Sequence, residues 1–296
     1  MNQPNKVMVI AFDGMDFDLI KEYELQQLTN LEEFGKIDNQ KGMKTTFTSE
    51  LYASFITGKN WEEHGIKGLR SREYGSKWVE KLNENLRELW IGRKITGLRR
   101  SFLQTFPFIQ YRTRKWTKED LNSKTIFDKV VGKPLHVPSY NPEPEWMCGF
   151  PLKMLEQEFS ASEVEAKSWE LTKERLDDFW NLNHDFWEFI MLQVHEPDIL
   201  HHLTVDKDLV SDDEMIKMYS KLDDVANQVI DKFGEDYVII FMSDHGLPQG
   251  GSHNENAFYA CNYQLFGSKE PKITDFHDKI LEVIKNENEE PEEVDV

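Results

Sequence analysis

The sequence is poor in cysteine and has no long apolar run. Two cysteines in 296 residues, Cys148 and Cys261, are too few for a disulfide framework. No stretch reaches the roughly 18 consecutive apolar residues that predict a transmembrane helix. The apolar run at 7–12 is too short for a membrane span or for the core of a signal peptide. We therefore expect a soluble, cytoplasmic protein.

Basic residues are scarce relative to acidic ones. The chain has 35 Lys and Arg against 54 Asp and Glu, a formal net charge of −19. A surface of this charge repels phosphate backbones, so nucleic-acid binding over a broad face is not expected. Part of the acidity lies in the tail 287–296, which we predict to be disordered. The 39% of hydrophobic residues suffices for a sizeable core, and we assign residues 1–286 to one α/β domain.

Short apolar segments alternate with helical patterns along this domain. The segments are rich in β-branched or aromatic residues and predict buried strands at 7–12, 134–138, 189–194, 237–242 and 257–263. Helices are predicted at 160–186, starting at Ser160 or Ser162, at 211–234, and near the C-terminus. This alternation predicts a doubly wound, mostly parallel sheet with helices on both faces.

Residues 69–120 differ from the rest of the chain because they are basic and aromatic. Between Ile91 and Asp120 there are eight basic residues and two acidic ones. One interpretation is a helical insertion with a charged outer face. The other is a cap whose cations attract an anionic substrate or a membrane surface. We assign this segment as a small helical cap insertion.

Aspartate and histidine residues follow three of the predicted strands. Asp13 follows the first, Asp198 and His202 follow "FIMLQV" after a short link, and Asp244 and His245 follow "YVIIFMS". In an open parallel sheet, ligand sites form at the carboxyl ends of the strands. Carboxylates combined with imidazoles suit zinc, manganese or iron better than calcium or magnesium. Each feature alone could be a turn or a helix cap, but the combination favours a metal site.

The stretch "TTFTSELYASFITG", residues 45–58, predicts a helix that ends at Gly58. Thr48 would then lie at or just before the helix N-terminus. Its hydroxyl could cap the helix. It could also be a nucleophile, because a metal bound to a threonine oxygen can deprotonate it. The N–H groups and the positive dipole end of the helix would then face phosphate oxygens.

In combination, these blocks resemble the alkaline phosphatase superfamily, in particular its type I phosphodiesterase/nucleotide pyrophosphatase branch. The matching blocks occur in the family's order: "VIAFDGMD", "TFTSELYASFITGKNWEEHGI", "KTIFDKVVGKPLHVPSYNPEPE", "EPDILHH", and "SDHGL" followed by His253. The resemblance extends from residue 7 to about residue 258. It implies an alkaline phosphatase-like fold.

The resemblance also implies a site for two divalent metal ions, zinc in the first place, with manganese or iron as alternatives. One ion would be bound by Asp198, His202 and His253. The other would be bound by four residues: Asp13, Asp244, His245 and Thr48. Among the remaining histidines, His195 is a candidate for a supporting role beside the ligands, whereas His64 and His201 are expected to be structural.

The implied activity is metal-dependent hydrolysis of a small-molecule phosphate ester, of the phosphodiesterase or pyrophosphatase type, with Thr48 as nucleophile. Two departures keep alternatives open. Relatives that cleave nucleotides commonly have Phe-Pro-Asn after the threonine, and Leu51 stands here in place of that asparagine. The glycine usual before the metal-binding histidine is His201. The same site could therefore belong to a phosphomonoesterase, a phosphotransferase or a non-catalytic metal-binding relative.

Overall fold

A six-stranded sheet forms the centre of the larger of two compact units, which comprises Met1–Leu69 and Trp116–Val296. The computed structural model describes residues 4–68, 70–74, 111–142, 160–205, 209–249, 252–267 and 270–285. The strands in chain order are β1 Val7–Phe12, β2 Glu33–Lys36, β3 Ser71–Tyr74, β4 Tyr111–Arg114, β5 Gly132–Leu135, β6 Phe189–Val194, β7 Val238–Met242, β8 Pro248–Gln249, β9 Ser252–His253 and β10 Phe258–Cys261.

The central sheet has the order β2-β10-β7-β1-β6-β5. Strand β1 pairs in parallel with β6 and β7, and β5 pairs in parallel with β6, which confirms the predicted mostly parallel sheet. Every residue of β1, β6 and β7 is buried, as expected for strands covered on both faces. Strand β10 is antiparallel to both its neighbours, and β2, which pairs with it, has no counterpart among the predicted strands.

Within the described residues, the helices of four or more residues are α1 Phe17–Glu22, α2 Gln26–Thr29, α3 Thr48–Thr57, α4 Trp61–His64, α5 Ala161–Trp180, α6 Glu196–Val205, α7 Asp212–Phe233 and α8 Asp275–Lys285. Capping boxes at Ser160 and Ser211 begin α5 and α7, and Ser160 rather than Ser162 is the cap. Helix α3 ends at Gly58, whose φ of 66° is the left-handed conformation that favours glycine. Helix α5 ends at Trp180, earlier than the sequence pattern predicted.

Helices cover both faces of the sheet, and the alternation of side chains along β1 separates two apolar clusters. Met8, Ile10 and Phe12 pack with residues of α5, α6 and α7. Val7, Val9 and Ala11 pack with residues of α3 and α8 on the other face. The carboxyl ends of β1, β6 and β7 lie together at one edge of the sheet, where Phe12 pairs with Val194 and Ala11 with Met242. The residues that follow these strands therefore meet at that edge.

The smaller unit comprises Arg70–Lys115, and its described part consists of β3 and β4, which pair antiparallel. The described residues at the two ends of this unit therefore form strands, whereas from the sequence we assigned the segment as a helical insertion. Residues 75–110, which hold most of the predicted helical cap, and the acidic tail 287–296 lie outside the described residues. Among the described residues, no helix combines the length and the apolar character needed to cross a membrane.

Candidate active site

A first cluster of candidate ligands lies at the carboxyl edge of the sheet and consists of Asp13, Asp244 and His245. His245 Nε2 is 3.5 Å from Asp13 Oδ1 and 3.4 Å from Asp244 Oδ2. All three residues are fully buried. Their ligand atoms are close enough together to hold one metal ion.

A second cluster lies beside it and consists of Asp198, His202 and His253. The Nε2 atoms of His202 and His253 are 3.5 and 3.4 Å from Asp198 Oδ1. In the sequence, Asp198 follows β6 after a short link, and helix α6 begins within that link, at Glu196. Asp198 and His202 therefore lie one helical turn apart on the same face of α6. The rings of His245 and His253 stack with their centroids 3.7 Å apart, so the two clusters adjoin.

Hydrogen bonds to backbone carbonyls orient two of the histidine rings. His245 Nδ1 donates to Gly246 O at 2.9 Å, and His253 Nδ1 donates to Thr46 O at 3.1 Å. In the neutral ring, where the proton is on Nδ1, Nε2 is the nitrogen that faces the carboxylates and is available to a metal ion. Metal-binding histidines are commonly held in this way.

The electrostatics of both clusters fit a bound cation. Burial, together with the charge of Asp13, raises the pKa of Asp244 to about 7, and burial lowers the pKa of His245 to about 4. Burial opposes the charging of His253, but its hydrogen bond to Asp198 outweighs this and raises the pKa of His253 to about 9. Asp244 Oδ2 is buried and receives no hydrogen bond from the described residues. Buried carboxylates without donors are costly, and a divalent cation would satisfy them.

Thr48 is the first residue of α3, and its hydroxyl faces the first cluster. Thr48 Oγ1 is 3.1 Å from His245 Nε2 and 3.4 Å from Asp13 Oδ1. The N-cap of α3 is Phe47, so the alternative that Thr48 caps the helix is wrong. Buried Glu50 holds the preceding loop, because its carboxylate accepts hydrogen bonds from the backbone N–H groups of Lys44 and Thr45.

Leu51 is fully buried in the apolar cluster beneath α3. Its side chain therefore gives a phosphate group no polar contact, in keeping with its difference from the asparagine of nucleotide-cleaving relatives. The two histidines expected to be structural also have partners away from the ligands. His201 Nε2 is 3.0 Å from the Tyr219 hydroxyl, and His64 Nε2 is 2.9 Å from the Ser54 hydroxyl.

Sequence reasoning missed Gln193, which contacts the first cluster, and Arg175, which contacts Gln193. Gln193 Nε2 donates to Asp13 Oδ2 at 2.5 Å, and Arg175 donates to the side-chain oxygen of Gln193. His195, a candidate neighbour from the sequence, lies 2.6 Å from Asp13 Oδ2 through Nδ1 and 4.0 Å from Asp198 Oδ2 through Nε2. The available signal was a lone amide in the otherwise apolar strand "FIMLQV".

The sequence profile of the family described as type I phosphodiesterase/nucleotide pyrophosphatase matches residues 7–264. No curated protein sequence matches the chain. Solved structures with a similar fold include the alkaline phosphatase of the Antarctic bacterium TAB5. It has 9% sequence identity and a TM-score of 0.53, and the alignment covers 96% of this chain and 99% of that one.

Two further solved structures are similar over most of this chain. Murine ectonucleotide pyrophosphatase/phosphodiesterase 5 has 18% identity and a TM-score of 0.41 over 81% of this chain, and alkaline phosphatase PafA has 13% and 0.48 over 83%. The chain spans 57% of the length of the murine protein and 63% of that of PafA. The likeness to the TAB5 enzyme establishes an alkaline phosphatase-like fold.

Proposed function

The chain belongs to the type I phosphodiesterase/nucleotide pyrophosphatase family, and on this premise we propose that it is a metal-dependent phosphoester hydrolase with Thr48 as nucleophile. The position of Thr48 Oγ1 carries the proposal. This hydroxyl lies at the N-terminus of α3, within 3.4 Å of both Asp13 Oδ1 and His245 Nε2. A hydroxyl that served only to stabilise the helix would not have to lie this close to two candidate metal ligands.

We assign one divalent ion to Asp13, Asp244 and His245, with the oxygen of Thr48 beside them. A second ion would be held by Asp198, His202 and His253. This donor set of carboxylates and imidazoles suits zinc, with manganese or iron as alternatives. Bound here, such ions supply Lewis acidity, which lowers the pKa of a hydroxyl and neutralises charge on phosphate oxygens.

In the proposed reaction, Thr48 Oγ1 attacks phosphorus in line and the bond to the leaving oxygen breaks. The phosphoryl group is then covalently bound to Thr48, and the hydroxyl proton ends on the released alcohol by way of solvent. Attack by water in the second step cleaves the threonine–phosphate bond and regenerates the hydroxyl. The N-terminus of α3 beside Thr48 would favour the negative charge of the phosphoryl oxygens through its N–H groups and its positive dipole end.

For the substrate we propose a small-molecule phosphodiester or pyrophosphate. The second candidate is a phosphomonoesterase or phosphotransferase that uses the same site. It is supported by Leu51, which is buried and cannot make the phosphate contact that an asparagine makes in nucleotide-cleaving relatives. Rates on an aryl phosphodiester and on the monoester of the same leaving group would separate the two. A cytoplasmic location also remains a prediction.

The test of the nucleophile is Thr48→Ala, compared with Thr48→Ser and with Thr29→Ala. The hydroxyl of Thr29 donates to the backbone carbonyl of Leu25, and Thr29 is not among the candidate ligands, so Thr29→Ala is a matched control. We expect Thr48→Ala to lower kcat on an activated aryl phosphodiester by roughly 10³-fold or more. Thr48→Ser should retain part of the activity and Thr29→Ala nearly all of it. Full metal-dependent activity of Thr48→Ala would refute the assignment.

A further inference from the structure

Helix α5 buries an arginine against the strand that precedes the second ligand cluster. Arg175 is 5% exposed, and its guanidinium donates to both oxygens of Gln193, the backbone carbonyl at 3.1 Å and the side-chain Oε1. Arginine is rarely buried without a partner, because its charge is costly to desolvate. Both oxygens of Gln193 are therefore among the acceptors that satisfy this buried guanidinium.

This contact decides which way the Gln193 amide points. The guanidinium can only donate hydrogen bonds, so the atom facing it must be the oxygen, and Nε2 must lie on the opposite side. Gln193 is fully buried, and Nε2 donates to Asp13 Oδ2 at 2.5 Å. The positive charge of Arg175 also polarises the amide, which strengthens its N–H groups as donors to the carboxylate.

The two oxygens of Asp13 thus have different partners. Oδ2 accepts from Gln193 Nε2 and from His195 Nδ1, which lies 2.6 Å away. Oδ1 remains on the side of Thr48 and His245, at 3.4 and 3.5 Å. The contact with Asp13 also keeps the proton of His195 on Nδ1, which directs Nε2 toward Asp198.

We propose that Arg175 and Gln193 are positioning residues that hold the Asp13 carboxylate so that Oδ1 is presented to the first metal ion and to Thr48. The proposal rests on the proposed function. A ligand oxygen of Asp13 lies within 4.8 Å of one of a second buried carboxylate, Asp244, and like charges this close repel. Donors fixed on Oδ2 oppose rotation of Asp13 away from its neighbour. The alternative role is purely structural, in which Arg175 only fastens α5 to β6.

Zinc binding to the metal-free full-length chain separates these roles. The zinc, manganese and iron content of the wild type is measured first, because a chain that binds none of these ions would refute the proposed function itself. The effect of Gln193→Leu is then measured in two backgrounds. His253→Ala removes the second metal site and isolates the first, whereas Asp244→Ala disables the first and isolates the second.

We expect Gln193→Leu to weaken zinc binding at the first site by about 10–100-fold, the usual effect of losing a residue that orients a metal ligand. At the second site the change should stay within about threefold. Leu192→Ala changes the same strand in the apolar core and is the control for a general loss of stability. It should lower Tm without weakening zinc binding at one site more than at the other. Unchanged binding at the first site, or equal weakening of both sites, would overturn the proposal.

A double variant distinguishes positioning from folding. Arg175→Met with Gln193→Leu replaces both members of the pair by apolar side chains of similar length, so neither the guanidinium nor the Gln193 amide is left buried without the other. Its Tm should recover relative to Gln193→Leu, but zinc affinity at the first site should remain low. If zinc affinity recovered together with Tm, the pair would be structural only. Arg175→Lys keeps the charge and should lower zinc affinity at the first site less than Gln193→Leu does. If Gln193→Leu does not fold, Arg175→Lys is measured in its place.

Discussion

Gly14 lies between the two ligand clusters, and its replacement by alanine should damage the site more than the fold. Its φ is +72°, and a Cβ atom there would lie 3.1 Å from Asp198 Cβ and 3.2 Å from His245 Cε1. These neighbours belong to different clusters. The added methyl group would therefore move at least one proposed ligand by a few tenths of an ångström.

The magnitude has two parts. A left-handed conformation costs an alanine about 1–2 kcal/mol, which lowers Tm by roughly a few degrees in a chain of this size. The second part is the displacement of Asp198 or His245, and a misplacement of about 1 Å can lower the rate by roughly 10². Because the expected displacement is a few tenths of an ångström, we expect Gly14→Ala to lower kcat/KM on an aryl phosphodiester by about 10-fold.

Gly267→Ala is the matched control. Gly267 has a φ of +70°, but nothing lies within 4 Å of the position of its Cβ. It should lose a similar amount of stability and keep its activity. Activity on the diester and Tm are measured for both variants. If Gly14→Ala were as active as Gly267→Ala, the inferred closeness of the two clusters around Gly14 would be refuted.

Two further predictions concern a buried histidine and the loop that carries His253. Burial lowers the pKa of His64 to about 4, so between pH 6.5 and pH 4 this histidine is protonated in the unfolded chain but neutral in the folded one. The free energy of unfolding should therefore decrease as the pH falls from 6.5 to 4, by up to about 3 kcal/mol. Denaturant unfolding of the wild type and of His64→Gln across this range checks the slope, which should flatten in the variant; equal slopes would contradict it. Asn254 Nδ2 donates to Asp16 Oδ2 at 3.1 Å and so fixes the loop next to His253. Asn254→Ala should therefore weaken zinc binding more at the Asp198 cluster, which contains His253, than at the Asp13 cluster. Zinc titration in the His253→Ala and Asp244→Ala backgrounds measures this, and selective weakening of the Asp13 cluster would contradict it.

Local patterns predicted several elements and the neighbourhood of the site well. Strands β1, β6 and β7 could be predicted because they are almost continuous apolar runs. The helix starts at Ser160 and Ser211 could be predicted because the glutamate of each capping box lies only three residues away. The carboxyl ends of these strands had to meet, so Asp13 and Asp244 could be expected to lie near each other. That these residues bind metal, and that Thr48 attacks phosphorus, remain predictions.

Other features depend on pairings that no short segment encodes. Strand β10 was recognised as a strand, but its antiparallel direction depends on β7 and β2. From the sequence we placed a short link between β6 and Asp198, but α6 begins at Glu196 within that link, because Pro197 is compatible with the first turn of a helix. The described ends of the basic segment form strands, although its composition suggested helices.

The sequence by itself determined the alternation of strands and helices, the order of the family's blocks and the residue types available for metal binding. These follow from apolar periodicity and from hydrogen bonds between near neighbours. Only the tertiary structure decided which oxygen of Asp13 faces Thr48, since Gln193 lies 180 residues from Asp13 in the chain and its amide is turned by Arg175 on another helix. A hydrogen bond between such distant residues depends on how α5 packs against β6, and no local pattern contains that information.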